Sequence, residues 1–205
     1  MDEAIAELRA EIAALKERAQ RAEGHLAIQN LQAAYGYYVD KSQWDDAADL
    51  FAEHGTLEIA ARGQFCGRER IRAYLKALPA LERGRVFNHM QLQPVIHVEG
   101  DTAAGRWRTI MEVAIGETEL RGEGTYENRY VREGGVWKIA RLHAFITYYV
   151  TPEKGWRAGG VPMATEFEEL APDQPQTVDY DSFPEIFVPP YHYPNPATGK
   201  PWRAS

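Results

Sequence analysis

Apolar residues in the first part of the chain recur at Ile5, Leu8, Ile12, Leu15, Ala19, Ala22 and Leu26, in alternating steps of three and four. This is a heptad seam with charged residues on the other faces, and it predicts an amphipathic helix over residues 1–24. Two readings of the seam stand open: a helix that holds copies of the chain together, or one docked on its own domain. A second helix is expected from about Leu26 to Asp40, with Ile28, Leu31, Tyr35 and Tyr38 or Val39 turned inward. A third should begin near Trp44, with Asp45 and Asp46 at its positive end. A short extended stretch, Gly55 to Ile59, precedes a helix from Arg68 to about Leu78, which Pro79 stops.

From Val86 the period falls to two. Strands are predicted over Val86–Val98, bent near Pro94, and over Thr102–Ile115, with Glu99-Gly100-Asp101 as the turn between them. Glu119–Val131 and Val136–Tyr149 form a second pair across Gly134-Gly135. Helices grouped first and strands grouped last give an α+β domain, with helices on one face of a curved antiparallel sheet. Residues 151–205 differ: proline excludes regular helices and central strands there, while the aromatic content from Tyr180 to Tyr193 argues against free disorder. That segment is expected to lie as an extended strap over the domain or a neighbouring subunit. The chain thus divides into an N-terminal helix (1–24), a central domain (25–150) and a strap (151–205).

Composition narrows the function. The chain has 205 residues, enough for one buried core plus extensions. Its 23 Lys and Arg against 30 Asp and Glu give a net charge of −7, unsuited to neutralising phosphates, so no nucleic-acid partner is expected. No apolar run approaches the roughly 20 residues of a membrane span, and none resembles a signal peptide, so a cytoplasmic protein without a membrane partner is expected. A single cysteine, Cys66, excludes an intramolecular disulfide. No phosphate-binding loop, dinucleotide fingerprint, nucleophile elbow or His-Glu-x-x-His helix occurs, and no cofactor or metal is implied.

Three segments carry a family resemblance: IQNLQAAYGYYVDKSQWDDAADLFAEHGTLEI, NHMQLQPVIHVEGDTAAGRWRTIMEV and GTYENRYVREGGVWKIARLH. Together, in this order, they resemble the SnoaL-like group of the NTF2-like superfamily over about residues 25–150. The resemblance implies a cone, a bent sheet wrapped around helices and enclosing a pocket. It does not fix a function, because the superfamily includes dehydratases, isomerases, cyclases, an epoxide hydrolase, formaldehyde-eliminating lyases and binders without chemistry.

The resemblance nominates Tyr35 and Asp40, at the spacing of a pocket Tyr–Asp pair in a bile-acid dehydratase, and His89, where the dehydratases place their catalytic histidine. It also nominates Glu112, although a charged surface ladder with Arg106 and Arg108 explains that residue more simply. Imidazole suits proton transfer, since its ordinary pKa lies near 6.5. Tyr35 and Asp40 sit about 140° apart on a helix, so they meet one pocket only if the helix ends near Asp40. Strand alternation groups Trp137, Ile139, Arg141, His143 and Phe145, which turns Arg141 and His143 inward unless a bulge near Leu142 reverses the register. His25, His54, His97 and His192 read as surface or helix-end residues. The reading is a cofactor-free lyase with His89, Asp40, Tyr35 and His143 as catalytic groups and Arg141 and Glu112 as substrate contacts. It would eliminate water, with or without formaldehyde, from a hydroxylated, hydrophobic, aromatic small molecule. Alternatives are an isomerase or cyclase, or a non-catalytic small-molecule binder. A homo-oligomer, dimer or trimer, is the expected assembly.

Overall fold

The computed structural model describes residues 2–156, 160–165 and 170–203. The two N-terminal helices are one: α1 runs unbroken from Asp2 to Asp40. Gly24 does not divide it but serves close packing, since a Cβ there would stand 3.2 Å from side-chain atoms of Trp137 and Val98. After α1 come α2 (Trp44–Asp49), β1 (Phe51–Ile59), β2 (Gln64–Cys66), α3 (Arg68–Ala77), β3 (Val86–Glu99), β4 (Thr102–Ile115), β5 (Thr118–Glu133) and β6 (Val136–Val150). The six strands form one curved sheet in the order β2-β1-β6-β5-β4-β3. Three long hairpin partners are antiparallel as expected, whereas β1 lies parallel to β6, so the sheet is mixed. No helix among the described residues is long and apolar enough to cross a membrane.

The inner face of the sheet packs on α1 and α3. From α1 it receives Gly24, Ile28, Gln32, Tyr35, Gly36 and Val39, a stripe at helical spacing. These meet Leu57, Trp107, Tyr126, Tyr130, Ile139, Leu142 and Ala144 from the strands in one core. Of the register shifts that adjust this face, two bear on the candidate residues. In β3, Gln93 takes a positive φ of 49° beside Pro94, and pairing with β4 slips between Leu92 and Val95. In β6, Arg129 of β5 faces Arg141 while Tyr130 faces Ile139, so Ala140 is an extra residue and alternation reverses beyond it. Trp137 and Ile139 are inner, and after the bulge so are Leu142 and Ala144.

One polar network crosses this core. Gln32 of α1 is wholly buried. Its side chain donates to Gln91 Oε1 at 2.9 Å, and its own oxygen accepts from Asn128 Nδ2 at 3.0 Å and the Tyr130 hydroxyl at 2.8 Å. Trp107 Nε1 donates in turn to that hydroxyl at 2.8 Å. Gln32, Asn128, Tyr130 and Trp107 lie out of reach of bulk water, so each needs the others, and the half-buried Gln91 closes the network.

The outer face carries the strap. Gln174 bridges the edge strand β2 at Gln64. Further along, Tyr180 stacks on Phe187 at a centroid distance of 4.6 Å, and both rings lie against Phe145. The Tyr180 hydroxyl accepts from the backbone N–H of Ile146 at 2.8 Å. Nearer the C-terminus the Arg106 guanidinium lies 3.8 Å from the centroid of the Tyr191 ring. His192, expected on the surface, is covered instead: its side chain is 3% exposed and its Nδ1 lies 2.9 Å from Glu127 Oε2.

Gln32→Leu conserves bulk while removing a partner from polar groups on β3 and β5, those on β5 buried. Urea unfolding should show a loss of at least about 1–3 kcal/mol, the cost of a buried polar group left without its partner. An unchanged midpoint would mean the network contributes nothing to stability.

Candidate active site

Asp40 is the last residue of α1. The chain turns immediately: Gln43 N–H donates to Tyr38 C=O at 2.9 Å, and Ser42 takes a positive φ of 55°. This is the helix end that a Tyr35–Asp40 pairing requires. Opposite it, β3 presents His89 on the inner face, in register with Met111 of β4. His89 Nδ1 and Asp40 Oδ1 are 2.8 Å apart, with the side chains 20% and 14% exposed. Against an ionised carboxylate Nδ1 carries the proton, which leaves Nε2 as the basic nitrogen. The approach of α1 to β3 depends on Gly36, where a Cβ would stand 3.0 Å from the His89 carbonyl oxygen and from Gln91 Cγ. Gln91 Nε2 in turn donates to that carbonyl at 2.9 Å, so the buried network ends on the backbone of His89.

Around this pair the inner face is rich in buried phenols. Tyr35 lies edge-on to Phe51, with ring centroids 6.1 Å apart. Tyr74 receives a hydrogen bond from Arg62 at 2.7 Å, and the Tyr149 hydroxyl donates to Met111 Sδ at 3.0 Å. Burial, with Tyr126, Tyr74 and Asp40 adding to it, holds the Tyr35 hydroxyl well above its ordinary pKa. Burial likewise raises Tyr126, and it pushes Tyr149 up to about 12 although Arg62 opposes the rise. All three are therefore neutral hydrogen-bond donors at physiological pH. Thr109 shares this face; it is wholly buried and its hydroxyl has no hydrogen-bond partner among the described residues. Met163, near the start of the strap, packs with Met111, Ile146 and Ala60.

The profile of the SnoaL-like domain matches residues 20–143, more than half of the chain. The protein belongs to the SnoaL-like domain family. No curated protein matches it. Among solved structures it resembles a candidate scytalone dehydratase from Novosphingobium aromaticivorans, with 19% identity over 72% of this chain and 95% of the other, at a TM-score of 0.59. A hexachlorocyclohexane dehydrochlorinase, LinA-type3 of Novosphingobium barchaimii, aligns with 21% identity over 63% and 90% of the two chains at a TM-score of 0.57. A Mycobacterium tuberculosis protein of unknown function has 24% identity over 67% and 85% of the chains, with a TM-score of 0.56. At these identities the likeness is one of fold, the NTF2-like cone.

Within this SnoaL-like domain three of the six nominated residues lie on the inner face, and the other three do not. Glu112 pairs in register with Asn88, the neighbour of His89, and successive strand residues point to opposite faces. Its carboxylate accepts from Asn88 Nδ2 at 3.1 Å on the outer side. Arg141 and His143 are also outer, because the Ala140 bulge reverses β6. His143 is buried beneath the strap, whereas the Arg141 side chain, 40% exposed, stays partly open to solvent. Arg141 donates to His143 Nδ1 at 2.7 Å, so Nε2 carries the ring proton and faces the buried Glu58 at 3.4 Å. Thr177 of the strap gives Glu58 its backbone N–H at 2.6 Å and its hydroxyl at 2.8 Å. His89 and His143 therefore cannot share a ligand, and no group of three or more His, Cys, Asp or Glu among the described residues is arranged to hold a metal.

Sequence reading passed over Gln91, Gln32, Tyr126 and Glu58. Alternation from His89 would have placed Gln91 on its face, and Gln32 is the one amide in the apolar stripe of α1. Glu58 carried no signal, since nothing in β1 forecasts a covering strap.

Burial, with the Arg141 charge assisting, lowers the pKa of His143 to about 3. The unfolded chain binds this proton near pH 6.5 and the folded one does not, so His143 costs stability progressively as pH falls from about 6.5 toward 3. His143→Gln should flatten that part of the curve of urea midpoint against pH. Identical slopes for the two proteins would show that the histidine is protonated at the same pH in both states.

Proposed function

We propose that this SnoaL-like domain is a cofactor-independent lyase that eliminates water from a hydroxylated hydrophobic small molecule, an aromatic or alicyclic ring compound. The observation that carries the reading is the 2.8 Å pairing of His89 with Asp40 at the edge of a phenol-lined interior. In this mechanism His89 Nε2 removes a proton from the carbon beside the one bearing the hydroxyl. The C–H electrons form the double bond as the C–O bond breaks, and Asp40 balances the charge of the imidazolium. The proton taken by His89 is returned to the departing oxygen, which leaves as water. Tyr35, kept protonated by burial, donates a hydrogen bond to that oxygen.

The interior favours an oxygen leaving group over a halide. Chloride departs without a proton and needs no donor, whereas hydroxide is expelled only when protonated. Several neutral phenols and the uncommitted Thr109 hydroxyl suit a substrate that carries hydroxyl groups. Two structural neighbours bear the names of eliminating enzymes, a dehydratase and a dehydrochlorinase, which supports the reaction class and not the substrate.

The test is a panel of hydroxylated ring compounds incubated with the protein and followed by mass spectrometry for loss of one water. On the substrate so found, His89→Gln should lower kcat by about 10²- to 10⁴-fold with the fold intact. Asp40→Asn should act in the same direction, and the double variant should lose less than the product of the two, because the residues act as a unit. Full activity of His89→Gln would end this assignment. Tyr35→Phe should lower turnover most for substrates with the poorest leaving group, and an equal effect across leaving groups would remove Tyr35 from that role.

A further inference from the structure

Residues 2–23 of α1 are all exposed, and of these only Arg18, Arg21 and Ala22 border a cavity against the body, shared with β3 and the strap. The seam is the largest uncovered apolar feature of this helix: Ile5, Leu8, Ile12 and Leu15 are 43–58% exposed, and Leu26 is 61% exposed. Docking on the parent domain is ruled out by the geometry of α1. Leu26 is two positions from both Gly24 and Ile28, hence about 200° round the helix from the stripe that packs on the sheet. From Ile5 to Leu15 the seam looks away from the body, while Ala22 and Leu26 border a cavity against it. An isolated helix of this length is marginal in water, because helices in proteins draw most of their stability from burying one face.

We propose that the seam pairs with that of a second copy of this chain in a parallel, in-register, two-stranded coiled coil. Ile5 and Ile12 take the a positions and Leu8 and Leu15 the d positions, the arrangement that favours two strands. The flanking charges set the direction. Glu11 and Arg18 fall at g, and Arg9, Lys16 and Glu23 fall at e. In a parallel pair each g residue meets the e residue five positions later on the other helix. Glu11 then meets the partner's Lys16, and Arg18 meets the partner's Glu23, both attractive, while Ala4 opposite the partner's Arg9 is neutral. Antiparallel registers bring e to e and g to g. The three antiparallel registers of longest overlap set Arg9 against Lys16, Glu11 against itself, or Lys16 and Arg18 each against itself, so each of them contains a like-charge contact. The intrahelical ion pair between Glu17 and Arg21 lies at f and c, clear of the seam.

Light scattering on the full chain should give twice the 23.2 kDa chain mass. The Leu8→Lys, Leu15→Lys double variant should give one chain mass with an unchanged near-UV spectrum, since both positions lie outside the folded body. Glu11→Lys should raise the dissociation constant by about fivefold or more, as two ion pairs become repulsions. Adding Lys16→Glu to the same chain should restore it, which only the parallel pairing allows. In a Cys66→Ser background, Ile12→Cys should cross-link the two copies on mild oxidation. A monomeric or trimeric wild type, a mass unmoved by the double lysine variant, or a dimer that the Ile12→Cys thiol fails to cross-link would each overturn the proposal.

Discussion

The amide of Gln32 is the constraint on which the arrangement of this protein rests. A primary amide in an apolar core is costly unless it is satisfied, and here satisfaction requires three strands to stand at fixed distances from one helix. Tyr130 and Asn128 bring β5, Trp107 brings β4 through Tyr130, and Gln91 brings β3. Hydrophobic contact alone would tolerate α1 sliding along the sheet, since apolar packing has little directionality. The network removes that freedom. Because Gln91 also holds the carbonyl of His89, the depth and register of α1 against β3 are set by the same bonds that place the imidazole beside Asp40.

Much of this was legible in the sequence, for identifiable reasons. The hairpins were marked by period-two alternation and by Gly134-Gly135, both of which take positive φ. The helix end at Asp40 was marked by Lys41-Ser42-Gln43, and it is that end which makes the pairing with His89 possible. The faces of Arg141 and His143 were not legible, because one extra residue at Ala140 reverses everything after it and no residue type announces a bulge there. Glu112 failed for a related reason: a spacing carried over from a relative is blind to register, and a shift of one residue exchanges the two sides of a strand. Continuity of α1 through Gly24 was hidden too, since glycine reads as a break unless its partner, the indole of Trp137, is known to press against it.

The sheet therefore has two polar sites back to back. The inner one joins a histidine to a carboxylate at the rim of the cone, partly open to solvent. The outer one joins a histidine, an arginine and a carboxylate beneath the strap, where Glu58 is fully enclosed and Thr177 completes its hydrogen bonding. The first arrangement leaves a basic nitrogen uncommitted. In the second, both ring nitrogens of His143 are engaged, which makes it a fastening for the strap rather than a centre of proton transfer.

Pro94 has a consequence for how such a molecule avoids its own kind. β3 ends the sheet, and an exposed terminal strand fourteen residues long would be a template for another chain to extend. Proline removes a donor from that margin, and the slip between Leu92 and Val95 twists it out of line. At the opposite margin the short β2 is sealed by Gln174, whose backbone takes up the free side of Gln64. Both flanks of the sheet are thus denied to fibrillar stacking, and an apolar surface that a like molecule can recognise is left on a helix, where association closes after a fixed number of copies instead of propagating.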